Sequence, residues 1–318
     1  MAKFPKNEAR EKIAVQPYQM TRPGTDKTLL LLLRLSAFFC FAGWTWVHFY
    51  WEGPYGILLW QEPTFAFADR LGISWEEFVG TGSDDGLVQR WIAGAGWFYL
   101  TWSILTLTVR EKSWIQMGVI LCGSVLLTIL AYAKYLAALC QLPMFVEHGG
   151  QILSPIILVM ALTRGVRHRM TIFTTILACC LTFAGHGAYA LGFLWPTPAN
   201  FQGMTSIILR SDHETTLGFL RAAGALDFFV CIGLFVPFLR RASALYATVW
   251  GFLTAIARPV AGMSMDLRDW GADQFVHEAV LRAPHFLLPL FLWIVWSKSK
   301  APEPSETSVT MSSGQSVG

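Results

Sequence analysis

Charged side chains are scarce in this sequence. Asp, Glu, Lys and Arg make up 14% of its 318 residues and 54% are hydrophobic, against about 25% charged in an ordinary soluble domain. That deficit, with a mean hydropathy of +0.45, excludes a water-soluble domain of usual composition and predicts an all-α polytopic membrane protein. Metal and redox signatures are missing too. The six cysteines (40, 122, 140, 179, 180 and 231) lie in or beside apolar segments and form no C-x-x-C pair, which argues against zinc, iron–sulfur and thioredoxin-like sites. There is no Walker A, no G-x-S-x-G, no G-x-G-x-x-G opening a helix after a strand, and no H-E-x-x-H, since His213-Glu214 lacks the second histidine. A net charge of +3 gives no reason to expect nucleic acid as a partner.

Apolar runs are what the sequence has instead. They fall at about 28–50, 91–109, 114–136, 145–163, 171–195, 214–239, 243–262 and 277–296, each near the ~20 residues needed to cross a bilayer. This predicts eight transmembrane helices. Before them, residues 1–27 form a basic tail in which Pro5, Pro17 and Pro23 break any helix, with no signal-peptide pattern. After them, residues 298–318 have the composition of a disordered tail. Loop charges fix the orientation. Arg110–Lys112, Arg164–Arg169, Arg240–Arg241 and Lys298–Lys300 would be inner connections. The acids Glu52, Glu62, Asp69, Glu76, Glu77, Asp84 and Asp85 in loop 51–90, and Asp266, Asp269 and Asp273, would be outer. By the positive-inside rule both termini are cytoplasmic, in a cell membrane, with the lipid bilayer as the main partner.

The two halves resemble each other. Phe41-Ala42-Gly43 recurs as Phe183-Ala184-Gly185, the run Trp91–Gly96 matches Phe219–Gly224, and Leu127-Thr128 with Lys134 matches Leu253-Thr254 with Arg258. Phe145–His148 matches Phe275–Glu278, with Pro155 and Pro284 following. Four matches in one order predict a duplicated four-helix unit, 28–168 and 169–297. An even number of spans per unit makes the repeats parallel, with a pseudo-axis along the membrane normal.

Ionisable residues inside apolar spans are functional-site hypotheses by default. The second unit collects them: His186, Arg221, Asp227, Arg258, His277, Glu278, Arg282 and His285. Counted at 1.5 Å per residue, these fall in the outer half of the spans. The bland readings weigh equally. Arg221–Asp227 would serve as well as structural glue between helices, His277 and Glu278 at the water boundary are ordinary there, and Arg282 can snorkel. The Trp residues at 46, 51, 60, 91, 195 and 270 read as an interfacial belt. His186 and His285 fall at matching depth, as a bis-His haem requires. Among seven histidines that match arises easily by chance, so a hydrogen-bonding or quinone-contacting role is favoured over haem.

An Arg-Leu-Ser…Phe-Ala-Gly helix (34–43) and a helix carrying Gly224-Ala-Leu-Asp227 before Gly233-Leu-Phe, followed by the basic turn Arg240-Arg241, resemble the DoxX-like superfamily of four-helix membrane proteins. In that family the position of Asp227 is typically Glu. The resemblance implies a quinone-linked role, since the family includes a membrane subunit of a thiosulfate:quinone oxidoreductase and membrane partners of redox-defence enzymes.

The resulting expectation is a quinone-linked oxidoreductase component. Asp227, His186 and His285 would handle protons, Arg221, Arg258, His277, Glu278 and Arg282 would hold the quinone or substrate, and a soluble or membrane redox partner would supply electrons. A carrier for a small anion or lipid, or a scaffold subunit without chemistry, are the rival expectations.

Overall fold

The structure is a computed structural model that describes residues 23–81 and 86–297. The expected tails (except residues 23–27) lie outside those residues, as do the acids Asp84 and Asp85. The chain is a helical integral membrane protein, with no strand among the described residues. Seven helical stretches are long and apolar enough to cross a membrane: Asp26–Tyr50, Trp114–Ala137, Leu142–Arg164, Arg169–Leu191, His213–Gly233, Arg240–Gly262 and Arg268–Ser297. The expected span at 91–109 is a helix too, Leu87–Thr108. It has the length, but its Thr, Ser, Gly, Trp and Tyr leave it less apolar than the seven.

In chain order the helices are α1 (Pro23–Tyr50), α2 (Gly56–Leu59), α3 (Glu62–Arg70), α4 (Trp75–Val79), α5 (Leu87–Thr108), α6 (Trp114–Ala137), α7 (Leu142–Val146), α8 (Gly149–Arg164), α9 (Arg169–Leu191), α10 (Ala199–Leu209), α11 (His213–Gly233), α12 (Arg240–Gly262), α13 (Ala272–Leu281) and α14 (Pro284–Ser297). Pro23 begins α1 instead of preventing it. A first-turn proline has no helical N–H to lose. Loop 51–90 is not a plain connection: α2 packs against α5 and α6, α4 against α5, and α3 against α4. Ser74 accepts from the Glu77 N–H to cap α4, and Trp60, Phe65, Trp75 and Phe78 form an aromatic cluster.

Helices α1 and α9 form the centre. Each packs along one neighbour, α1 on α5 and α9 on α11, and each also touches the last helices of both halves of the chain. Small residues make these crossings close. A Cβ on Gly43 would lie 2.5 Å from the Leu281 backbone N, and one on Gly185 would lie 2.5 Å from the Glu147 backbone N. Backbone cannot swing aside as a side-chain tip can. Gly185→Ala is therefore expected to destabilise by about 1–3 kcal/mol, the usual cost of overpacking, and to lower Tm in detergent by several degrees. Gly94→Ala, which meets nothing within 4 Å, should leave Tm in place. Equal Tm for both variants would contradict the close crossing.

The expected spans 145–163 and 277–296 are both interrupted. α7 gives way to α8 at Glu147–His148, and α13 to α14 at Arg282–Ala283. Gly149-Gly150 and Pro284 mark the breaks, since glycine and proline weaken the helix there. Broken backbone at membrane depth needs protein around it to satisfy its polar groups. Arg282 Nη1 donates to the Glu278 carbonyl at 2.8 Å. At the far end of the molecule Arg34 of α1 serves the C-terminus of α5, donating to the carbonyls of Thr106, Leu107 and Val109 at 2.7–2.8 Å. Those carbonyls have no intrahelical partner.

Candidate functional site

Helices α9, α11, α12 and α14 enclose a small space, and its walls hold three of the sequence-expected residues. Thr182, Phe183 and His186 come from α9, Asp227 from α11, Trp250, Gly251 and Thr254 from α12, and His285 from α14. The space measures about 20 Å³, enough for one water molecule. His186 and His285 face each other with ring centroids 5.2 Å apart and planes at 83°. His186 Nδ1 is 3.1 Å from the Thr182 carbonyl. An Nδ1–H donating there leaves Nε2 as an acceptor directed away from α9. Asp227 is 3% exposed and His285 4%. Asp227 Oδ1 and His285 Nδ1 have no hydrogen-bond partner, while the Trp250 indole approaches the Asp227 carboxylate. Buried polar atoms without partners are costly, and here two of them share one cavity.

A haem does not fit between the two histidines. Edge-to-face rings at 5.2 Å beside a 20 Å³ gap leave no room for iron and a macrocycle.

His186, Trp250 and Thr254 also belong to the wall of a second, larger cavity of about 360 Å³. This one is apolar along most of its length, with Phe201, Met204 and Ile208 of α10 covering it and Phe219, Leu253 and Val260 at its sides. Phe201 stacks on His186 at 5.9 Å, the planes 14° apart. Its polar end carries His186, Arg258 and Arg282. Phe219, Leu253, Val260 and Ile208 are exposed, so the mouth opens between apolar side chains of membrane-spanning helices. The arrangement, an apolar slot with a few convergent polar groups, is that of a small-molecule site.

Both arginines are held by one acid. Glu278 Oε1 accepts from Arg258 Nη1 at 2.7 Å, and Oε2 accepts from Arg282 Nη1. Lys134 of α6 and Glu147 of the first half approach the same cluster and interact with it electrostatically. Lys134 Nζ lies 5.5 Å over the Trp44 ring.

Two expected site residues stand apart. Arg221 is exposed, lines neither cavity and forms no ion pair with Asp227 among the described residues. Six residues along a helix turn the side chain through about 600°, which places it on another face. His277 is buried between Trp46 and Trp51, each 6.1 Å away ring to ring, with Nε2 4.0 Å from Glu278 Oε1. It faces α1 and not the cavities. Sequence reasoning missed α10 and Trp250 altogether. The only available signal for α10 was an 11-residue apolar-faced stretch between Pro198 and Asp212, too short to register as a span. Comparison of the chain with family models, with curated proteins and with solved structures finds no match.

Proposed function

We propose that the protein binds a quinone in the cavity between α9, α10, α11 and α12 and handles the protons of its reduction through His186, His285 and Asp227. One observation carries the reading: two buried ionisable groups, Asp227 and His285, and the half-buried His186 share a space that adjoins an apolar slot. A quinone has an apolar body and carbonyl oxygens that accept hydrogen bonds and then protons. His186, Arg258 and Arg282 stand at the slot's polar end to meet such oxygens, and Asp227 and His285 stand behind them to supply or take protons. Reduction to the hydroquinone takes two electrons and two protons, and the electrons come from a separate reductant.

The same reading takes the chain as an eight-crossing protein of two parallel four-helix units with both termini cytoplasmic, resembling the DoxX-like superfamily. Packing supports the duplication. Gly96 abuts His48 and Phe49 as Gly224 abuts Ala190 and Leu191, and Gly43 meets Leu281 as Gly185 meets Glu147. On this matching Glu147 pairs with Leu281 and not with His277, and Pro155 with Pro289 and not with Pro284, so the fourth sequence match shifts by one turn. In the first unit Trp44 and Gln151, joined by a 2.9 Å hydrogen bond, then take the places of His186 and His285. Tyr99, bonded to Tyr55 at 2.8 Å, takes the place of Asp227. The first unit fills its site with uncharged side chains, and the second keeps titratable ones.

Calorimetric titration of the protein in lipid nanodiscs with a short-chain benzoquinone tests the reading. Saturable 1:1 binding is expected, weakened at least about tenfold in His186→Leu, the equivalent of one lost hydrogen bond of about 1.4 kcal/mol. Identical binding by wild type and His186→Leu would sink it. The cation excess of Lys134, Arg258 and Arg282 over Glu147 and Glu278 favours one rival, a carrier for an anionic amphiphile. Uptake of such an anion into liposomes without any reductant would select that function.

A further inference from the structure

We propose that the larger cavity takes its quinone as an anion, a quinone whose ring carries an acidic hydroxyl ionised at neutral pH. The proposal rests on the quinone reading above and names the class of quinone.

The polar end of the cavity holds more positive than negative charge. Arg258 and Arg282 line it, and among the described residues no acid lines the cavity at all. Glu278 holds both arginines, Oε1 accepting from Arg258 and Oε2 from Arg282. One carboxylate against two guanidinium groups leaves one positive charge unbalanced. Lys134 and Glu147, which also interact with the cluster, add one charge of each sign and leave that excess unchanged. Arginine keeps its proton, so the excess cannot be shed by ionisation. Both side chains are largely buried, and the rest of the cavity wall is mostly apolar. An unbalanced charge in such a place is costly. An anionic group on the ligand would balance it, and a neutral quinone would not.

The free hydrogen-bond donors agree with the charge. Each guanidinium has five N–H groups. Among the described residues Arg258 donates only through Nη1, to Glu278 Oε1 at 2.7 Å. Arg282 also donates only through Nη1, to the Glu278 carboxylate and carbonyl. Nε and Nη2 of both arginines are left without a protein acceptor, and none of these four nitrogens is sealed inside the protein. A planar fork of such donors matches two neighbouring oxygens. In a quinone with a hydroxyl beside one carbonyl, the ionised oxygen and that carbonyl oxygen form such a pair. The flat ring also suits the cavity wall, where Phe201 already stacks on His186 at 5.9 Å.

The test is calorimetric titration of the full-length protein in zwitterionic phosphatidylcholine nanodiscs. The probes are lawsone, a naphthoquinone with one acidic ring hydroxyl, and its methyl ether, which has the same ring and no charge. Partition of each into empty discs is measured and subtracted. Lawsone is expected to bind at least about tenfold more tightly than the ether, the scale of one charge-assisted hydrogen bond. Arg258→Met leaves Arg282 and Glu278 as a one-to-one pair, so the ratio of the two affinities should fall close to one. Arg258→Lys keeps the charge and should keep a preference for lawsone. Equal binding of both probes by wild type overturns the anionic class and leaves the quinone reading standing. A full preference in Arg258→Met overturns the assignment to this cluster. If lawsone, its ether and the short-chain benzoquinone all fail to bind, both readings fall together. Decanoate, a carboxylate on a flexible tail, is the last arm. If it displaces lawsone while the ether and the benzoquinone do not bind, the cavity is one for fatty anions, which overturns the quinone reading and the acidic quinone with it.

Discussion

Replacing Glu278 by alanine is expected to destabilise the protein by about 3–5 kcal/mol, the loss seen when one partner of a buried ion pair is removed. Among the described residues Glu278 is the one carboxylate in ion-pair contact with Arg258 and Arg282. The three side chains are only 17–27% exposed, at the polar end of a cavity whose other walls are apolar. Without the carboxylate two guanidinium groups face each other in a poorly solvated space, and neither can shed its proton. Unfolding in mixed micelles should therefore begin at a markedly lower mole fraction of denaturing detergent. Arg282 also serves the Glu278 carbonyl, so the break between α13 and α14 should loosen, which amide exchange at Arg282 and Ala283 would register. The triple replacement of Glu278, Arg258 and Arg282 by Met should recover much of the loss, because removing all the charges leaves none uncompensated. A Glu278→Ala protein as stable as wild type would mean that the arginines are solvated independently of it.

Asp227→Asn should lower the rate of quinone reduction by about 10²–10⁴-fold, the usual contribution of a positioned acid or base. Affinity for the quinone should stay within about twofold, because Asp227 lines the small cavity behind the slot and not the slot itself. Asn keeps the shape and removes the ionisable oxygen. Stability should hold or rise, since a buried carboxylate whose Oδ1 lacks a partner is costly to keep. A purely structural Asp227 would give the opposite pattern, with lower stability and an unchanged rate per folded molecule. The measurement is steady-state hydroquinone formation with a small-molecule reductant in excess, paired with a thermal melt of the same sample.

The long apolar helices were legible in the sequence, while azimuth and irregular helices were not. Long apolar runs identify the bilayer crossings because hydrocarbon tolerates little else. The 1.5 Å rise put His186 and His285 at one height, and their rings do meet. Depth says nothing about which way a side chain points, and on that account Arg221 was grouped with Asp227 although it faces outward. The breaks at Glu147–His148 and Arg282–Ala283 were invisible to a hydropathy window, which averages over a turn that glycine or proline interrupts. Helix α10 escaped for a related reason. Its residues are apolar enough to roof a cavity but too few to cross a membrane, and only the packing of α11 and α12 gives them something to cover.

The roof formed by α10 leaves an opening flanked by Phe219, Leu253 and Val260, all exposed on the apolar surface. A ligand entering there travels laterally in two dimensions, and its working concentration is its partition into the hydrocarbon phase. Apparent affinity, referred to total ligand, should then weaken in proportion to the lipid volume added at fixed protein, while occupancy at a fixed ligand-to-lipid ratio stays constant. For this protein the composition of the surrounding bilayer is a variable of binding in its own right.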